Sequence, residues 1–123
     1  MRYALLIYSA PEAGAEESST DTGVYDDWVA YTRALKSAGA LVALERLDGV
    51  DTATSVRLRA GERLLTDGPF IETKEHLLGF YLVEVPDLDT AIDWAARMPN
   101  VRRGTVEVRP VKPTPALAQI TLE

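Results

Sequence analysis

The sequence predicts one α+β domain in which two helices cover one face of an antiparallel sheet. Segments of strand composition and segments with a helical apolar stripe follow in the order strand, helix, strand, hairpin, strand, helix, strand. This order makes two βαβ halves, the split arrangement of ferredoxin-like folds. A chain of 123 residues is also the size of one domain.

The first half begins with a strand of apolar and aromatic residues over 3–8, followed by a small, polar and acidic loop. Asp21 or Thr22 can cap the helix that comes next, and Gly39 ends it. Residues 41–47 form the second strand. The apolar stripe of the helix consists of Val24, Trp28, Tyr31, Leu35 and Ala38.

The second half contains a hairpin, over 54–58 and 63–66 around Ala60-Gly61, and a strongly apolar strand over 79–85. Asp87 caps a second helix, and 105–109 is the last strand. The domain spans 1–112, and the prolines after it predict an extended tail over 113–123. The apolar stripe of this helix consists of Leu88, Ala91, Ile92, Ala95 and Met98.

Two strands of the predicted sheet, 3–8 and 79–85, carry large apolar side chains on both faces. A sheet covered on one side only should alternate with polar residues, so something must bury the second face. A second copy of the chain is the economical cover, which predicts a homodimer joined through the sheet face. The alternative is that the proline-rich tail folds back over that face.

Composition excludes several classes of protein. A formal charge of −6 without a basic cluster argues against a nucleic-acid binder. The chain has no cysteine and one histidine, so it has no disulfide and no ordinary zinc or iron–sulfur site, and we expect no cofactor. The apolar N-terminal run is too short for a membrane span or a signal sequence, which predicts a cytoplasmic protein without a membrane partner.

The segment 66–75, TDGPFIETKE, followed by Gly79-Phe80-Tyr81-Leu82, resembles the signature of the DGPF branch of YCII-related proteins. The stretches 87–96 and 106–111 fit that branch as well. The resemblance covers about residues 1–112 and implies a dimeric α/β barrel, in which two ferredoxin-like sheets face each other. This agrees with the cover that the two-faced strands require.

The resemblance also bears on function. The wider family includes a chlorinated-muconolactone dehalogenase and proteins with a histidine–aspartate pair in the pocket. The histidine of that pair lies on the first helix, where this chain has Trp28, so the pair is not carried over intact. Members of the DGPF branch resemble genomic neighbours of extracytoplasmic-function sigma factors, which implies a link to regulation.

Asp67 and His76 are the candidate catalytic residues. The Asp67-Gly68-Pro69-Phe70 segment is a rigid turn that could hold the Asp67 carboxylate at a pocket mouth as a general base. Alternatively, Asp67 only caps the turn, and the turn places Phe70 in the core. His76 is the one side chain whose ordinary pKa lies near neutrality, although a lone histidine is more often structural.

The candidate ligand-binding residues are aromatic side chains that could line a pocket and cations that could meet a small anionic or aromatic ligand. The same aromatic residues could instead belong to the core or the dimer interface. The candidates are Tyr8, Trp28, Arg46, Lys74, Tyr81 and Arg109.

Three hypotheses for function stay open at this point. The first is a cofactor-free enzyme for proton transfer or lactone chemistry, which rests on analogy with the fold. The second is a small-molecule binding or sensing module that feeds a regulatory partner. The third is an assembly subunit whose sheet dimer is its purpose.

Overall fold

The computed structural model describes residues 1–10, 22–70 and 73–121, without the side chains of 22–24 and 121. The predicted α+β class is confirmed. The elements of the described residues are β1 (Arg2–Ser9), α1 (Thr22–Ser37), β2 (Leu41–Arg46), a 3-10 turn (Val50–Thr52), β3 (Thr54–Arg59), β4 (Glu62–Asp67), β5 (His76–Glu84), α2 (Leu88–Ala96), β6 (Thr105–Pro110) and α3 (Pro115–Thr121).

The main sheet has four strands in the order β2-β5-β1-β6, and every neighbouring pair is antiparallel. β1 and β5, the two strands predicted to be apolar on both faces, are the central pair. β2 and β6 are the edges. Together with the two helices on one face, this arrangement is consistent with a ferredoxin-like fold.

The core lies between the sheet and the helices α1 and α2. Alternate residues of β1 point into it, and Tyr3, Leu5 and Ile7 are buried, as the period of two in a strand requires. Leu35 of α1 is fully buried, and Met98, just after α2, is 1% exposed. The remaining core side chains are Tyr31, Ala40, Tyr81, Val83, Val85, Ala91 and Ala95.

The start of α2 is fixed by its cap, as predicted. The Asp87 carboxylate accepts hydrogen bonds from the Thr90 backbone N–H at 2.9 Å and the Thr90 hydroxyl at 2.7 Å. The side-chain bond from Thr90, followed by the backbone bond, lowers the pKa of Asp87. The proposed cap of α1 cannot be compared in the same way, since Asp21 and the Thr22 side chain lie outside the described residues.

The β3–β4 hairpin forms a two-stranded sheet of its own. Its turn is at Ala60-Gly61, as predicted, and both residues have positive φ, which is typical of a tight hairpin turn. The expectation that the following turn buries Phe70 is wrong. Phe70 is 64% exposed and lies under the Arg57 guanidinium at 4.4 Å, because the hairpin stands apart and its own strand supplies the neighbour.

The tail is not extended throughout, because Pro115–Thr121 form α3. Proline suits the first position of a helix, where its missing N–H is not needed. The Thr114 carbonyl accepts from the N–H groups of Leu117 and Ala118. Residues 111–120 are exposed, which does not fit the alternative that the tail folds back as a buried cover.

Candidate functional site

The face of the main sheet opposite the helices is apolar at its centre. Cross-strand partners share a face, so the pairing of Leu6 with Phe80 and of Ala4 with Leu82 puts all four side chains here. Charged residues flank them, with Glu107 opposite Leu6 on the β6 side. We call the apolar set the open face; it consists of Ala4, Leu6, Tyr8, Leu77, Phe80 and Leu82, all half-buried except Leu77, which is exposed.

A shallow hollow of about 590 Å³, open to solvent, lies at one end of the open face. β1 contributes Tyr8, which pairs with Thr105 of β6, and the segment before β5 forms the opposite wall. The Thr105 hydroxyl donates a hydrogen bond to the Glu75 carboxylate at 2.7 Å, which joins the two walls. The lining residues are Tyr8, Thr73, Lys74, Glu75, Thr105 and Glu107.

The charges around the hollow limit what it can bind. Lys74 contributes one positive charge, whereas Glu75 and Glu107 contribute two negative ones. The Tyr8 ring offers an apolar surface and its hydroxyl a hydrogen-bonding group. This lining suits an aromatic molecule with a polar substituent better than a strongly anionic one.

His76 follows the wall of the hollow in sequence and is half-buried. Its Nε2 lies 3.0 Å from the Thr73 carbonyl oxygen, and the Thr73 hydroxyl donates to the Glu75 carbonyl. These bonds tie residues 73–76 into a compact turn. The His76 ring is therefore held by the segment that lines the hollow.

A cluster of four aromatic side chains occupies the helix side of the sheet. Trp28 and Tyr81 stack with ring centroids 6.0 Å apart, and Tyr31 meets both of them and Trp94 edge to face. The Tyr31 hydroxyl donates to the Trp94 carbonyl at 2.8 Å. The Tyr81 and Thr32 hydroxyls are 2.6 Å apart, and burial raises the pKa of Tyr81.

The predicted site residues are thus divided among several separate parts of the fold. Tyr8 and Lys74 line the hollow, whereas Trp28 and Tyr81 lie on the other side of the sheet. Asp67 is exposed at the end of β4, opposite Thr54. The two arginines are also distant in the fold: Arg46 lines a second hollow of about 350 Å³ beside β2, and Arg109 lies across from Ala4 on the open face.

Four residues of the hollow were not predicted from the sequence: Thr73, Glu75, Thr105 and Glu107. The sequence did contain a signal for Thr105 and Glu107, since residues 105–108 alternate between polar and apolar. With Val106 and Val108 towards the helices, Thr105 and Glu107 must face the side that carries Tyr8. The described residues hold no group of three or more histidine or acidic side chains that could bind a metal.

The comparison with known families fits this geometry. The model of the YCII-related domain matches residues 1–115. The chain belongs to the YCII-related family. A relative, an uncharacterized protein of Rhizobium meliloti (strain 1021), is 40% identical over 114 residues, which cover 90% of this chain and 92% of the relative. None of the helices in the described part of the chain is long and apolar enough to cross a membrane.

Proposed function

We propose that this YCII-related chain is a homodimer that binds a small molecule. In this dimer the open faces of the two copies pair with each other, and each partner sheet lies over the hollow of the other copy. The observation that carries the proposal is the apolar open face itself. Leu6, Phe80 and Leu82 stand side by side on the central strands and are only half-buried in the single chain. Burying a fully exposed leucine or phenylalanine side chain stabilises by about 1.5–3 kcal/mol, so completing the burial of these half-buried side chains gains part of that for each and favours a second sheet as cover.

The arrangement of charges supports the same pairing. Glu107, Arg109 and Glu45 surround the apolar centre of the open face, and they come from the two edge strands. An apolar centre inside a polar rim is the usual anatomy of a protein interface. Two sheets paired in this way make a dimeric α/β barrel, the arrangement that the DGPF-like segment implies.

The second half of the proposal concerns the hollow. Tyr8 belongs both to the open face and to the lining of the hollow, so a partner sheet on that face would also narrow the hollow's mouth. Excluding water there would strengthen the polar contacts of Lys74 and Thr105 with a ligand. The ligand class that fits is a small aromatic molecule with a hydroxyl or another polar substituent.

Binding without turnover is the form of the function that we favour. Proton-transfer or lactone chemistry with Asp67 as base and His76 as assistant needs both side chains at the ligand. Asp67 is not among the described residues that line the hollow, whereas His76 adjoins it. A binding module would suit a regulatory role, including one linked to sigma factors. We place it in the cytoplasm, which its cysteine-free composition fits.

The dimer is tested by a charge in the middle of the open face. We expect Leu82→Glu to give a monomer in sedimentation-velocity experiments, because a carboxylate cannot be buried between two apolar sheets without a partner. Val101→Glu, at an exposed position after α2, is the matched control and should leave the dimer intact. A Leu82→Glu protein that stays dimeric would contradict pairing through the open face.

The ligand is tested by native mass spectrometry of freshly purified protein, followed by thermal shifts with phenol, benzoate and benzylamine as probes. We expect a retained small mass or a shift with phenol that the Tyr8→Ala variant loses. Turnover of a retained ligand would move the assignment from binding to catalysis. A dimer that retains nothing and responds to no probe would support the assembly hypothesis instead.

A further inference from the structure

The β3–β4 hairpin has an uncovered apolar face. Val56, Leu58 and Leu65 lie on it, and their exposures are 62%, 66% and 61%. The register pairs Leu58 with Arg63, Val56 with Leu65 and Thr54 with Asp67, so this face carries Arg63 beside Leu58 and Asp67 at its other end. An isolated two-stranded hairpin is marginally stable in water, and an exposed apolar face on it is typical of a docking surface.

The outer face of α2 has the complementary character. Leu88 and Ile92 are one helical turn apart and are 47% and 46% exposed, although the sequence pattern placed both in the core stripe. Asp89 and Asp93 are likewise one turn apart, beside them, and both are exposed. The outer face of α2 is therefore an apolar pair next to an acidic pair.

The charges of these two surfaces are available for a new contact. Within the described residues, neither Asp89, Asp93 nor Arg63 takes part in an ion pair. The next cation along the helix, Arg97, is held over the Trp94 ring at 4.3 Å. The hairpin, 54–67, has three arginines and two acidic residues, a formal +1 in a chain of −6, so the rest of the chain carries −7.

We propose that the hairpin of one copy docks on the outer face of α2 of a second copy. Val56 and Leu58, two residues apart on a strand, are about 6.7 Å apart along the strand axis. Leu88 and Ile92, four residues apart on a helix, are about 6 Å apart along the helix axis. The two apolar pairs therefore match in spacing, and Arg63 comes beside the acidic pair.

A second copy is the occupant that the chain itself indicates. Each copy carries both halves of the contact, one an apolar face with Arg63 beside Leu58 and the other an apolar pair beside an acidic pair. Neither half overlaps the open face, whose residues lie on β1 and β5. This contact is therefore independent of the sheet pairing proposed above. It would bury the apolar face of the hairpin and would not block the hollow.

The absence of native cysteine makes a direct test possible. We would mix a Leu58→Cys protein with an Ile92→Cys protein, oxidise mildly and separate the products. Since each chain holds one thiol, a Leu58–Ile92 disulfide can form only between copies. The control pairs Leu58→Cys with Tyr25→Cys, whose position on α1 is 67% exposed. We expect the Leu58–Ile92 product in clear excess, and equal yields from the two mixtures would overturn the proposal.

A charge exchange tests the polar part of the contact. Arg63→Glu and Asp93→Arg should each weaken association of the copies about fivefold, and the double variant should recover it. These measurements are made in the Leu82→Glu background, so that loss of the sheet dimer cannot hide or mimic the effect. Association that the single variants leave unchanged, or that the double variant fails to recover, would show that α2 is not the hairpin's partner.

Discussion

The four-stranded sheet and the β3–β4 hairpin are both antiparallel, and both carry alternating apolar residues, but they differ in what covers them. On the sheet, Leu5 is fully buried and Val83 is fully buried under the two helices. On the hairpin, Leu58 is 66% exposed. The difference lies in the neighbours, because β1 and β5 are flanked by strands and helices, whereas among the described strands β3 and β4 pair only with each other.

This contrast separates residues that hold the domain together from residues that are available for contact with other molecules. Burial of the helix-facing side of the sheet supplies stability. The open face and the hairpin face expose apolar side chains that add little to the stability of a single chain and can be buried by a second one. The predictions below test that separation, from the largest expected effect to the smallest.

The largest effect is expected from removing buried volume in the sheet. Leu5→Ala should lower the free energy of unfolding by about 2–5 kcal/mol, because it deletes a fully buried side chain and leaves a cavity. Leu64→Ala, on the hairpin and 43% exposed, should change it by less than about 0.5 kcal/mol. Denaturant unfolding at one fixed protein concentration gives both values. Equal losses would mean that the hairpin belongs to the same cooperative core.

A second comparison uses two glycines that are needed for different reasons. A Cβ on Gly104 would lie 2.2 Å from the Tyr8 carbonyl oxygen and 2.6 Å from the Ser9 hydroxyl, so β6 could not approach β1 as it does. Gly104→Ala should therefore cost about 1–3 kcal/mol of global stability. Ser9 makes this position more sensitive, since its buried hydroxyl has no hydrogen-bond partner among the described residues.

Gly61 is the matched position in the hairpin. It has φ of +80° and open space around it, so Gly61→Ala strains the turn by about 1 kcal/mol without a clash. We expect hydrogen exchange to speed up in β3 and β4 only, while the midpoint of global unfolding stays in place. A global loss as large as that of Gly104→Ala would erase the distinction between the two regions.

Much of the fold could be predicted because its signals are local. The cap at Asp87 and the turn at Ala60-Gly61 each depend on a few consecutive residues. The exposure of Phe70 could not be predicted, since the sequence around an aromatic residue after a tight turn does not show whether its ring packs in the core or only against Arg57. In the same way, the pattern of α2 did not separate its buried Ala91 from its exposed Ile92.

The candidate site was harder to predict because tertiary pairing assembles it. Thr105 meets Glu75 across 30 residues of sequence, through the pairing of β6 and β5 on either side of β1. Tyr8 and Lys74, which the sequence offered only as separate candidates, line one hollow. Trp28 and Tyr81 look equally suitable by residue type, yet strand register puts them on the other side of the sheet.

The smallest effect concerns α2, the helix whose inner face meets the sheet and whose outer face would meet the hairpin. Hydrogen bonds from Thr90 lower the pKa of Asp87 in the folded protein below its ordinary value of 3.8. The ionised cap therefore stabilises the fold above that ordinary pKa, and the contribution is lost as the pH falls through the folded value.

Asp87→Asn keeps a capping oxygen but does not titrate. Melting temperatures measured from pH 6 down to pH 2 should fall less steeply for Asp87→Asn than for the parent protein, while Asp89→Asn, which lacks the Thr90 bonds, should follow the parent. If the two variants gave the same slope, the stability of the start of α2 would not depend on the charge of its cap.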